Sequence, residues 1–194
     1  MRIVVIGAGG TIGSAVVAAL EPRHEVVRAS RAGSPSVDLE DPASIAALLA
    51  AAGPVDAVVC CAASAPMAPI DAPDDEFLRG LRGKLLGQVA LLRRALPHLR
   101  DGGSVTLTAG TFDPPMAGAA FGALVNAGLE AFVRAAALEL PRSLRVNAVS
   151  PGWVRETLRA MGRDGGTPAA EVARAYVAAV EGTLTGRVLV PGAR

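Results

Sequence analysis

The residues with the clearest chemical potential are Gly7-Ala8-Gly9-Gly10-Thr11-Ile12-Gly13, which directly follow an unbroken apolar run at 3–6. Such a run reads as a strand buried on both faces. The Ala/Val/Leu-rich stretch 11–20 reads as the helix after it. Strand, glycine turn and helix together form the opening unit of a dinucleotide-binding fold. Gly7 permits the tight turn out of the strand. Gly10 has no side chain to hold a pyrophosphate away from the backbone, and Gly13 lets the helix pack closely on the sheet. Thr11 and Ile12 open that helix, whose free N–H groups and positive dipole end attract phosphate.

Ser30 and Arg31 stand at the end of a second strand, 24–29. An acid there would hydrogen-bond the ribose hydroxyls of NAD and repel the 2′-phosphate of NADP. Arg28, Ser30 and Arg31 offer donors instead, and a guanidinium fork pairs well with phosphate. NADP(H) is therefore favoured over NAD(H), the alternative being that Arg28 and Arg31 are ordinary surface charges. Asp38 and Leu39 end a short strand, 37–39, reached by a loop too short for a crossover helix. Asp38 accepts from an adenine amino group, caps the helix starting near Asp41-Pro42, or does both. Cys61, Ala62 and Ala63 follow the buried strand 55–60, at the sheet edge where open α/β folds bind their ligand. Their small size keeps that wall close to a cofactor, and a cysteine there reads as an inert buried thiol, the alternative being a reactive one.

These residues need a scaffold that brings them to one edge. Residues 44–52 read as a helix closed by Gly53-Pro54. Residues 74–99 read as one long helix, with Leu78, Leu81, Leu85, Val89 and Leu92 at helical spacing and Gly102-Gly103 as its breaker. Further helices are expected at 119–140, 156–161 and 168–181, and further strands at 104–108, 144–149 and 187–190. The alternation implies an α/β fold, a single doubly wound Rossmann-type domain. Its parallel sheet would have seven strands with helices on both faces. The domain would span 1–194 with a small substrate-side lobe near 153–167.

A length of 194 residues suits one domain, and with 3% aromatic content its core must be built from Ala, Val and Leu. The net charge of +1 gives no argument for nucleic acid or membrane binding, and neither is expected as a partner. No long apolar run appears and glycines interrupt the first one, so a cytoplasmic protein is expected. Adjacent Cys60 and Cys61 cannot staple distant segments, and His24 and His98 lack ligand spacing, so no metal site is expected.

Nearly the whole chain resembles the short-chain dehydrogenase/reductase family. The likeness is carried by the glycine turn, Asp38, Lys84-Leu85-Leu86-Gly87, the run Leu144-Arg145-Val146-Asn147-Ala148-Val149-Ser150-Pro151-Gly152, and the segment 184–190. The resemblance implies that the Pro151-Gly152 turn, with Trp153 and Val154 after it, cradles the nicotinamide end of the cofactor. It also implies a homodimer or homotetramer built through helices 74–99 and 119–140.

The family's chemistry uses a Tyr to pass a proton, a Lys four residues later to lower its pKa and hold the ribose, a Ser to polarise the carbonyl, and an Asn to position water. In this sequence the Ser position falls on Ala109, Tyr on Gly122, Lys on Asn126 and Asn on Lys84. Positions 117–125 hold no hydroxyl or ionisable group, and Tyr176 lies on the last helix. The chain thus resembles an atypical subgroup lacking the Ser-Tyr-Lys residues. Lys84 and Asn126 are candidates for a pair with exchanged places, Lys84 binding ribose or donating a proton at a pKa lowered by burial. Thr108 or Thr111 would polarise a carbonyl. The alternatives are a solvated Lys84 and threonines that merely bond at a strand end. The function expected is an NAD(P)-dependent oxidoreductase acting on an unknown carbonyl or alcohol small molecule with a non-standard proton donor. The competing readings are a catalytically silent NADP(H)-binding protein, such as a redox sensor or assembly subunit, and a non-redox isomerase or cyclase. For the last, Asp113 is the first acid to test, unless it is only a turn residue before Pro114-Pro115.

Overall fold

The computed structural model describes residues 1–62 and 67–192. Six strands form one parallel sheet: β1 (Arg2–Ile6), β2 (Glu25–Ala29), β3 (Val55–Cys60), β4 (Leu99–Thr108), β5 (Arg145–Val149) and β6 (Val188–Leu189), in the spatial order β2-β1-β3-β4-β5-β6. The helices are α1 (Thr11–Leu20), α2 (Pro42–Ala52), α3 (Asp74–Gly80), α4 (Gly87–Ala95), α5 (Ala120–Ala136), α6 (Arg155–Ala160) and α7 (Ala169–Glu181). The order reverses beside β1, so the carboxyl ends of β1 and β3 flank the switch point at which such sheets bind ligands. Among the described residues no helix is long and apolar enough to cross a membrane.

The aliphatic composition decides how the layers pack. On one face Leu48 and Leu49 of α2, Leu91 and Leu92 of α4, and Leu129 and Val133 of α5 share a core with Val58 and Val105. On the other, Val16 and Leu20 of α1 meet Val172 and Tyr176 of α7 over Ile3 and Val59.

Three expectations are corrected. Residues 37–39 form no strand, so the sheet has six strands and not seven. Only a lone bridge joins Ser30 to Ser36. Beyond it the backbone is committed to the start of α2: Asp38 N–H donates to Ser44 Oγ at 2.9 Å, and Asp41 N–H to Asp38 O at 3.2 Å. Val37 and Leu39 are buried in the core without a ladder, which reproduces a strand's alternation.

The expected single helix 74–99 is four segments, and it ends at His98. A π-helical turn, Leu81–Leu86, separates α3 from α4, and a 3₁₀ turn, Leu96–His98, with Pro97 within it, ends the run. Glycines loosen this stretch, and a Cβ at Gly87 would lie 2.8 Å from Leu39 O, so the helix crosses close to that loop. The inserted residue of a π turn re-aims its neighbours, and here Lys84 points inward. Third, β4 begins at Leu99, not at 104. Gly102 and Gly103 sit within it, where its register against β3 shifts.

Candidate cofactor cleft and active site

A cleft of about 740 Å³ opens at the carboxyl ends of β1, β2 and β3. Gly7, Gly10, Cys61 and Ala62 line one side, and Ser30, Arg31, Asp38 and Leu39 the other. Two glycines of the turn, Gly7 and Gly13, are sterically required. Gly7 has φ +78°, and a Cβ there would lie 2.6 Å from Ala62 N; a Cβ at Gly13 would lie 2.0 Å from Gly7 O. Nothing approaches a Cβ at Gly9 within 4 Å, so the turn is open toward the cleft. No side chain caps α1, which leaves the first-turn N–H groups at Thr11, Ile12 and Gly13 available to an anion. A bare backbone cradle at a helix N-terminus fits a dinucleotide pyrophosphate. Ala63 lies outside the described residues.

The far end of the cleft separates the two arginines. Arg28 Nε donates to Glu21 Oε1 at 2.7 Å and is a paired surface charge. Arg31 is exposed on the cleft wall, with no acidic partner among the described residues. Asp38 does not cap α2. Its Oδ1 takes Glu40 N–H at 3.0 Å, and the cap is Asp41, whose Oδ1 takes Ala43 N–H at 2.8 Å.

Lys84 and Asn126 converge on consecutive residues beyond β4. Lys84 is 7% exposed, and its Nζ donates to Ala109 O at 2.8 Å. A Cβ at Gly110 would lie 3.2 Å from Asn126 Nδ2, and Asn126 Oδ1 is buried without a partner among the described residues. The solvated alternative for Lys84 is excluded. Burial lowers its pKa to about 8, because a charged ammonium loses hydration there. The same burial pushes the Cys60 thiol up to about 12 and raises Cys61, so both thiols stay protonated.

Thr108 and Thr111 diverge. Thr108 Oγ1 donates to Cys60 O and bonds the Tyr176 hydroxyl inside the core, so it faces no cavity. Thr111 lines a second cavity of about 430 Å³ with Phe112, Met116 and Asn126. Its N–H donates to Pro151 O at 2.9 Å, fastening the exit of β4 to the Pro151-Gly152 turn. Trp153 and Val154 follow that turn, Trp153 with its ring edge-on to Phe112 at 6.5 Å. Asp113 is exposed and lines neither cavity, so no acid for a non-redox reaction projects into them from that loop.

Two residues passed over in the sequence organise this region. Gln88 Nε2 donates to Lys84 O and Thr108 O, each at 2.9 Å, and Gln88 Oε1 takes Thr108 N–H at 2.8 Å. A polar residue four positions after Lys84 on an otherwise apolar helix face was the available signal. Glu130 takes Ser150 Oγ–H at 2.8 Å, which ties α5 to the end of β5.

A family model described as Enoyl-(Acyl carrier protein) reductase matches residues 12–184. The chain belongs to the short-chain dehydrogenase/reductase family. It is similar over 98% of both chains to the protein lin1944 from Listeria innocua, at 36% identity and a TM-score of 0.94. It is also similar to a small-chain dehydrogenase at 30% identity and a TM-score of 0.85, and to a small-chain dehydrogenase in complex with NADPH at 27% and 0.86. Each of these two likenesses covers 98% of this chain and 95% of the other. No curated protein matches. This family of oxidoreductases binds NAD(P), in accord with the glycine cradle and the Rossmann-like sheet.

Proposed function

We propose that the chain is an NADP-dependent oxidoreductase that reduces or forms a small-molecule carbonyl, without the usual Ser-Tyr-Lys residues. The observation that carries the reading is the 740 Å³ cleft, with the side-chain-free Gly7–Gly10 turn on one wall and Arg31 on the other. NADPH supplies the hydride when bound. The turn and the N-terminus of α1 hold the pyrophosphate, while Ser30 and Arg31 pair with the 2′-phosphate. Asp38, Leu39, Cys61 and Ala62 wall the adenosine side. Pro151, Gly152, Trp153 and Val154 enclose the nicotinamide side. The complex of a similar dehydrogenase with NADPH supports the preference.

Lys84 is the proton donor in this reading. A pKa of about 8 puts its ammonium close to the pH at which a general acid works best. Asn126, with Oδ1 unpaired, accepts from a ribose or substrate hydroxyl, and Thr111 lies at the carbonyl. Leu86 and Leu124, both exposed, support a homodimer or homotetramer through the helices at 74–99 and 119–140.

The test is NADPH consumption against a carbonyl panel by the native chain and Lys84→Ala. Loss of about 10²- to 10⁴-fold in turnover is expected; unchanged turnover removes Lys84 from the mechanism. One observation favours a second reading, a silent NADP(H)-binding protein. Lys84 lines neither cavity and its Nζ is held by Ala109 O. Cofactor binding with no turnover of any carbonyl would select it.

A further inference from the structure

The segment after β5 is a closed lobe. Val154 and Thr167 bridge in parallel; Arg155 N–H donates to Thr167 O, and Thr167 N–H to Trp153 O, each at 2.9 Å. Gly166 makes the return possible. Its φ is +78°, and a Cβ there would lie 2.6 Å from Trp153 O. This closure sets the Arg163 guanidinium 5.7 Å from the Trp153 ring centroid. Trp153 stands edge-on to Phe112, and Phe112 lines the 430 Å³ cavity beside Asn126. Arg163 thus lies against Trp153, Trp153 against Phe112, and Phe112 on the cavity wall.

The charges in this region are unevenly satisfied. The ionisable side chain lining the cavity, Glu130, is engaged by Ser150 and by Arg134 at 3.6 Å. Glu156 of the lobe accepts Ala169 N–H at 2.9 Å. Arg163 has no carboxylate within ion-pair reach among the described residues, its neighbour Asp164 included. A guanidinium resting over a ring keeps donors free for bidentate pairing with a carboxylate, and the ring helps fix its position. Phe112, on the cavity wall, offers stacking area to a planar body, with Trp153 edge-on beside it.

We propose that Arg163 sets substrate specificity by reading a carboxylate on an aryl carbonyl compound whose ring lies along Phe112 and Trp153. The proposal rests on the oxidoreductase reading of the same site. The carbonyl end reaches toward Asn126 and Thr111, and the acidic end stays at the rim with Arg163. The neutral counterpart loses only the Arg163 contact.

The test is calorimetry of the full chain with 4-acetylbenzoate and 4-acetylbenzamide, with and without saturating NADP⁺. The native chain is expected to bind the carboxylate roughly ten- to a hundred-fold more tightly than the amide, the range of a hydrogen bond to a charged group. Arg163→Gln should abolish that preference while leaving NADP⁺ affinity unchanged, and Arg163→Lys should keep part of it. Equal affinities, or binding of neither compound, would overturn the proposal. So would an Arg163→Gln variant that loses NADP⁺ affinity instead, since the arginine would then serve the cofactor. Failure of the native chain to bind NADP⁺ overturns the oxidoreductase reading separately, and the two aldehyde-free probes still decide the role of Arg163 in its absence.

Discussion

The ring of Phe112 occupies the space into which a side chain at position 122 would project. A Cβ at Gly122 would lie 3.1 Å from Phe112 Cε2 and 3.2 Å from Cζ. Position 122 is where the family resemblance puts a tyrosine, and the space beside it holds a ring from the preceding loop and not a void. That ring is backed in turn by Trp153.

A tyrosine introduced there alone should therefore gain nothing. Gly122→Tyr gains up to about 1 kcal/mol of helix propensity within α5, but overpacking against Phe112 costs about 1–3 kcal/mol. The strain dominates, and a lowered Tm with no gain in turnover is expected. Adding Phe112→Ala should recover the Tm, because the introduced ring then fills the space that Phe112 held. A single Gly122→Tyr variant as stable as the native chain would show that the Phe112 ring is not fixed there.

Lys84 gives a pH-dependent stability with a definite sign. Its folded pKa, about 8, lies below the ordinary 10.5. Between those values the unfolded chain holds more protons, so native stability rises with pH across that window. The penalty is complete below pH 8 and amounts to about 3 kcal/mol. Lys84→Met removes it, at a cost of about 1 kcal/mol for leaving Ala109 O without its donor. The variant should be the more stable chain at pH 7 in urea unfolding and lose that advantage toward pH 10.5. A difference independent of pH would place the ammonium in water.

Cofactor choice should follow the pair at the end of β2. Ser30→Asp with Arg31→Ala is expected to weaken NADPH roughly ten- to a hundred-fold, the scale of charge-assisted hydrogen bonds, and NADH much less. Equal weakening of both would show that the pair does not contact a 2′-phosphate.

The sole tyrosine is a core residue. Tyr176 is fully buried, with its hydroxyl on Thr108 Oγ1, and Thr108 retains Cys60 O without it. Tyr176→Phe should cost about 1 kcal/mol in unfolding experiments and leave NADPH affinity unchanged. A loss of cofactor affinity would tie Tyr176 to the cleft.

The parallel sheet was legible because β1, β3 and β5 are Val-rich stretches punctuated by glycine or proline, a local signal. Gly7, Ser30 and Cys61 could be placed along the cleft because each directly follows a strand, whereas Asp38 and Leu39 line it from a loop. The segment 37–39 misled because Val37 and Leu39 are buried on either side of exposed Asp38, a pattern that a loop over the core reproduces without a ladder. The π turn at Leu81–Leu86 leaves no mark in apolar spacing, although it decides where Lys84 points. The contact between Phe112 and Gly122 joins a loop to a helix, and no periodicity encodes it. Arg163 was passed over because only the closing of its lobe brings it to Trp153.

The most direct measurement is a titration of the chain with NADPH and with NADH, following the fluorescence of Trp153, the sole tryptophan, with calorimetry in parallel. Saturable quenching is predicted for both, at lower concentration for NADPH. No saturable response to either, with no heat of binding, would reduce the glycine turn to a structural element and contradict the cofactor-dependent function.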